Sequence, residues 1–147
     1  MTCTLRCAGA MLLALAVPIT IAAAERLSSS AGEIVLRPLV HATVQIEFGG
    51  RSIYIDPWTG ADLSSAPKSD LIIVTDADAG AHHLDVKALA QVRKQGGTVV
   101  MPASGTAKVP DGVVLSNGGT KTFGNVTVDA VAAYDITPGD PFHAKGV

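Results

Sequence analysis

The stretch Ser69–Asp85 constrains the fold more than any other: Ser-Asp-Leu-Ile-Ile-Val-Thr-Asp-Ala-Asp-Ala-Gly-Ala-His-His-Leu-Asp. Leu71, Ile72, Ile73 and Val74 form an unbroken apolar run, β-branched at three of its four places. Such a run suits a strand buried on both faces, although periodicity alone leaves a buried helical segment open. Past Thr75 the character changes at once, and Asp76, Asp78, His82, His83 and Asp85 crowd into ten residues. From Leu84 to Gln95 the pattern is helical. Leu84, Ala88, Leu89 and Val92 fall on one face, with Lys87, Arg93 and Lys94 on the other. A strand that hands carboxylates and imidazoles to a loop ahead of a helix presents either a metal site or an acid–base pair.

The rest of the chain leads up to this loop or away from it. Glu33–Leu39 reads as a first strand, stopped near Pro38. Ala42–Phe48 alternates, with Val44, Ile46 and Phe48 on one face. Gly49-Gly50 makes a two-residue turn, and Arg51–Ile55 returns with Ile53 and Ile55 on one face. Asp56-Pro57-Trp58 ends that strand and opens a loop running to Lys68. Gly96-Gly97 is expected to end the helix, with Arg93 and Lys94 favoured near its C-terminus. Thr98–Met101 is the next strand, so a right-handed parallel βαβ step is expected. Ser104–Val109 suggests one helical turn, and Val113–Leu115, Lys121–Phe123 and Val126–Val131 three short strands. Ala132–Val147 reads as a loop. The fold class is therefore α/β, a mixed sheet with β-hairpins in front and a βαβ step in the middle.

Met1–Ala24 has the plan of a signal peptide: Arg6 early, an apolar stretch over Ala10–Ile21, then Ala22-Ala23-Ala24 for cleavage. The apolar stretch is short of the roughly 20 residues of a membrane span, so no membrane contact is expected once the leader is cleaved. Both cysteines, Cys3 and Cys7, lie in the leader, which leaves no disulfide or thiolate site beyond it. Without Arg6 the eleven basic residues become ten against thirteen acidic ones, so nothing suggests nucleic acid. The expected compartment is the periplasm or the exterior. Residues 25–32, rich in serine, read as a flexible tether, and residues 33–147 as one domain.

From His41 onward the order of parts resembles the N-terminal half of a metallo-β-lactamase-fold hydrolase, whose whole is an αββα sandwich. Within that superfamily it is similar to the L-ascorbate-6-phosphate-lactonase-like branch. The residues that carry the likeness are His41–Pro57, Ser69–Thr75, Ala133-Tyr134-Asp135 and Phe142-His143-Ala144-Lys145-Gly146. The resemblance implies a metal-dependent hydrolase of small esters, lactones or phosphoesters, using a divalent ion (zinc, with manganese or iron as alternatives). The family's loop pattern is His-x-His-x-Asp-His. Here Asp76 and Asp78 stand at the two histidine positions when the loops are aligned from the front, and no gap-free register restores the pattern. The resemblance covers the family's first half only, and within these 147 residues no counterpart of its later bridging aspartate and last histidine is expected. A second copy or a second chain completing the sandwich is therefore expected, as is the alternative of a degenerate, non-catalytic relative that binds a metal or a partner.

The candidate ligands are Asp76, Asp78, His82 and His83, with His143 added by the family position. Asp78 is the candidate to orient or deprotonate a metal-bound water. Asp56 is expected to accept a hydrogen bond from a ligand imidazole, and Asp135 to play a similar supporting part. The competing reading is a solvated loop in which Asp78 or Asp85 caps the next helix. His41, with no partner nearby in sequence, reads as structural. Trp58 and Tyr134 read as pocket rim or as filler, and Arg51 and Lys68 as solvated charges.

Overall fold

The computed structural model describes residues 24–77, 82–134, 136 and 139. Nine strands and one helix follow in order: β1 (Glu25–Ser29), β2 (Gly32–Pro38), β3 (Val44–Phe48), β4 (Arg51–Ile55), β5 (Ser69–Ile73), α1 (Val86–Val92), β6 (Arg93–Met101), β7 (Val113–Val114), β8 (Thr120–Phe123) and β9 (Val126–Asp129). A 3₁₀ turn at Ala103–Gly105 lies between β6 and β7. Strands β1 to β7 form one sheet in sequence order, and β8 and β9 form a separate hairpin. The first four strands pair antiparallel; β4 to β7 pair parallel. The sheet is therefore mixed, with the expected βαβ step at β5–α1–β6. No helix among the described residues is long and apolar enough to cross a membrane.

Alternation along the central strands sorts the core into two faces. Tyr54, Ile72, Val74, Val99 and Met101 point to the face covered by Leu84, Ala88, Leu89 and Val92. Ile53, Leu71 and Val100 point the other way, where Phe123, Val126 and Val128 of the β8–β9 hairpin lie over them. This two-sided demand is what the run Leu71–Val74 announces. The hairpin turn is also as read, since Gly49 (φ 57) and Gly50 (φ 74) both take the left-handed conformation.

Two stretches differ from expectation. Residues 25–29, expected as part of a tether, form β1, which pairs with β2 from Glu25↔Leu36 to Ser29↔Gly32. An Arg26–Glu33 ion pair spans the two strands, and the Ser29 hydroxyl donates to Gly32 O at the turn. Serines here close a turn rather than loosen a linker. The helix ends at Val92, not at Gly96-Gly97, and no basic residue lies in its last turn. Arg93 already pairs with Ser69, its Nε donates to Gly97 O, and its guanidinium meets Asp111. Gly96 (φ 75) then turns the chain within the strand. Gly97 fits because a Cβ there would lie 2.7 Å from Ser69 O.

Candidate functional site

The parallel strands β4, β5 and β6 all end on one side of the sheet, the edge where open α/β sheets carry their ligands. Asp56 follows β4 there, and Thr75 and Asp76 follow β5. Strand β3 runs the other way with Val44 opposite Ile55, so the turn before β3 arrives at the same place and brings His41 with it.

Asp56 is the hub. Only 1% of it is exposed, and every polar group it has is engaged. Its N–H donates to Ile73 O (2.9 Å), and its carbonyl accepts from the Thr43 hydroxyl (2.7 Å). Oδ1 accepts from Thr75 N (2.7 Å). Oδ2 accepts from the Thr75 hydroxyl (2.5 Å) and faces His83 Nδ1 at 2.7 Å. A carboxylate only accepts, so Nδ1 carries a proton, and in the neutral imidazole the lone pair is then on Nε2. Carboxylate-held histidines of this kind are how proteins orient a ligand or a proton acceptor. The His83 side chain is 27% exposed, enough to reach a small molecule.

The backbone here is held in an uncommon conformation. His41 (φ 53) and Asp56 (φ 44) are the non-glycine residues with positive φ among the described residues. Each such position costs on the order of 1–3 kcal/mol. The Thr43–Asp56 hydrogen bond links the two stretches that contain them.

Four rings gather above this hub. The His41 and His82 centroids are 4.8 Å apart, and those of His41 and His83 are 5.9 Å apart. Trp58 stands edge-on to His82 at 5.0 Å and to His41 at 6.0 Å. The indole lies close over Gly60, where a Cβ would meet the ring at 2.4 Å, so that position needs glycine. Asp85 fastens the far side. Its Oδ1 accepts from Lys87 N (2.9 Å) and Ala88 N (3.2 Å), and its Oδ2 from Thr59 N (3.0 Å) and the Thr59 hydroxyl (2.6 Å). One carboxylate thus caps α1 and ties it to the segment carrying Trp58. Lys108 Nζ donates to Ala77 O (3.2 Å) beside the loop.

Of the residues singled out from sequence, the structure brings Asp56 and His83 into direct contact and places His82 in the ring cluster. Asp76 is half-buried where the loop begins. Asp78, Asp135 and His143 lie outside the described residues. Asp85, one of two candidate caps, is the N-cap of α1. His41, read as structural, packs its ring among those of Trp58, His82 and His83. The signal was available in the pairing: a residue just before β3 must neighbour a residue just after β4. Thr43, Thr59 and Thr75 carry no sequence signal of their own, because a threonine becomes a site residue only through what it meets in space.

Residues 36–146 match the family model described as a beta-lactamase superfamily domain. The chain belongs to that superfamily. A solved structure of a proposed metal-dependent hydrolase from Parabacteroides distasonis shares the fold, with 30% identity and a TM-score of 0.73 over 80% of this chain. The chain spans about half of that protein, 54% of its length. No curated protein matches the chain. The fold is thus the metallo-β-lactamase type, and a divalent metal is implied. The described residues meet that implication in chemistry but not in number. Asp56 holds the Nδ1 side of His83, as a carboxylate holds a ligand imidazole, yet among the described residues no three His, Cys, Asp or Glu side chains converge as a ligand set.

Proposed function

We propose that the chain is a secreted metal-dependent hydrolase of the lactonase-like branch, acting on a small ester, lactone or phosphoester. The observation that carries this reading is the Asp56–His83 pair at the carboxyl end of the parallel strands, in a fold shared with a proposed metal-dependent hydrolase. Asp56 orients the imidazole through Nδ1, and in the neutral ring His83 Nε2 would donate its lone pair or accept a proton. Trp58, His41 and His82 stand beside His83 and would offer ring faces to a small substrate. A divalent ion, with zinc first and manganese or iron as alternatives, would supply an activated water. Asp78 remains the carboxylate proposed to orient that water. The leader Met1–Ala24 directs the chain to the periplasm or beyond it.

The second reading, a relative that binds a metal or a partner without turnover, is favoured by the absence of a convergent ligand set among the described residues. A partner has a surface to meet. Val114, Val131, Tyr134 and Ile136 are exposed. A second copy or a second chain covering them is proposed, and sedimentation of a concentration-independent monomer would count against it.

Metal analysis of the purified chain beside His83→Ala tests the function. Stoichiometric metal in the parent and its loss in the variant, with ester or phosphoester turnover falling in step, supports the hydrolase. Metal without turnover supports the second reading, and a folded chain with no metal removes the first.

A further inference from the structure

We propose that Asn117-Gly118 is a site of spontaneous deamidation, held in check by the β8–β9 hairpin and released when that hairpin opens. The chain has two asparagines, Asn117 and Asn125, and only the first is followed by glycine. The reaction needs no enzyme and only water as co-reactant. The Gly118 amide nitrogen gives up its proton to solvent and attacks the side-chain carbonyl carbon of Asn117. The new N–C bond closes a succinimide ring, and the side-chain nitrogen leaves as ammonia. Water then opens the ring at one carbonyl or the other. The product is aspartate or, with the main chain rerouted through the side chain, isoaspartate. Glycine permits the attack because no Cβ crowds its nitrogen and its backbone turns freely. Asn125 precedes Val126, whose branched Cβ crowds the same approach.

Asn117 and Gly118 are both exposed. They form the middle of a β-turn that Gly119 N closes by donating to Ser116 O (2.8 Å). Gly118 (φ 81) takes the third place of that turn, where a positive φ favours glycine. The restraint lies on the attacking nitrogen itself. Gly118 N donates to Ala130 O at 2.7 Å, and Ala130 N returns a bond to Gly119 O at 2.9 Å. Next along the hairpin the Thr120 hydroxyl donates to Asp129 Oδ1 (2.6 Å), and β8 pairs with β9. Held this way, the nitrogen keeps its proton and cannot swing onto the Asn117 side chain without breaking its bond to Ala130. Opening the base of the hairpin frees it. When opening and closing are fast beside a slow reaction, the rate follows the open population. The hairpin is also the element that lies over Ile53, Leu71 and Val100. Isoaspartate lengthens the main chain at its base by a methylene, so the reaction loosens the cover that delayed it.

The test incubates the purified chain at mildly alkaline pH, folded and in concentrated urea, and maps both samples by trypsin and mass spectrometry. Cleavage at Lys108 and Lys121 puts Asn117 in one peptide, and Asn125 falls in the next. An isoaspartyl methyltransferase reads isoaspartate separately. In urea the Asn117 peptide is expected to convert while the Asn125 peptide stays intact. In the folded chain conversion at Asn117 is expected to be about tenfold slower or more, the worth of one protected hydrogen bond. Asp129→Ala, which removes the acceptor of the Thr120 hydroxyl, is expected to quicken the folded reaction and leave the rate in urea unchanged. No conversion in urea, or conversion at Asn125 as fast as at Asn117, overturns the site. Equal rates folded and in urea overturn the restraint, as does an Asp129→Ala chain that folds and reacts no faster than the parent. Hydrogen exchange of the Gly118 amide, read on the parent, covers the case in which that variant does not fold. Slow exchange supports the restraint, and exchange at the unfolded rate overturns it.

Discussion

Asp56 and Asp85 make an instructive pair. Both are buried aspartates just past or just before a regular element, and both use each carboxylate oxygen as an acceptor. Asp85 holds only structure: two backbone N–H groups at the start of α1, and the backbone and hydroxyl of Thr59. Asp56 holds structure through Thr75 and, with the same oxygen, an imidazole. The number of hydrogen bonds does not tell a functional carboxylate from a structural one. What matters is whether a donor it holds has chemistry left over. Thr59 and the helix amides have none, whereas His83 has a second ring nitrogen beyond the one Asp56 holds.

The contrast can be broken by mutation. Asp56→Ala should have the largest effect. It leaves Thr75 N and the Thr75 hydroxyl without their acceptor and frees the imidazole, which at about 1–3 kcal/mol for each of the two Thr75 donors amounts to roughly 2–6 kcal/mol in urea unfolding. Metal or ligand binding should fall with it. Asp85→Ala should cost about 1–2 kcal/mol, the value of a helix N-cap, and leave binding by His83 nearly unchanged. Equal loss of binding in both variants would erase the distinction.

Acid sharpens the comparison further. Burial works to raise the pKa of Asp85, but bonds from the Thr59 hydroxyl and from the Thr59, Ala88 and Lys87 amides outweigh it and hold the carboxyl below its ordinary value. A depressed folded pKa means that the stabilisation is fully present above the unfolded value, about 3.9, and is lost as pH falls through the folded one. Acid unfolding of Asp85→Asn should therefore be shallower than that of the parent below about pH 4. Parallel acid limbs would show that the cap is not ionically held.

Much of this architecture was legible in the chain. The run Leu71–Val74 demanded burial on both sides of β5, Gly49-Gly50 fixed the β3–β4 turn, and the helical spacing of Leu84, Ala88, Leu89 and Val92 placed α1. These are local signals, strong because one residue pattern admits few backbones. The misread stretches depend on distant partners. Residues 25–29 look like a linker until Glu33 and Leu36 stand opposite them, and the helix stops at Val92 because Ser69 and Asp111 claim Arg93. The site divides the same way. Asp56 and the loop histidines announce themselves by residue type, while His41 and Thr75 acquire meaning only from strand pairing.

The central claim is that Asp56 holds His83 with its proton on Nδ1 and its Nε2 lone pair outward. Long-range ¹H–¹⁵N correlation of the histidine rings at neutral pH reads this directly. The parent should show His83 as the Nδ1–H tautomer, and Asp56→Asn, whose amide can donate to Nδ1, should turn it to Nε2–H. A His83 ring that is Nε2–H, or a rapid mixture of tautomers, in the parent would contradict the account.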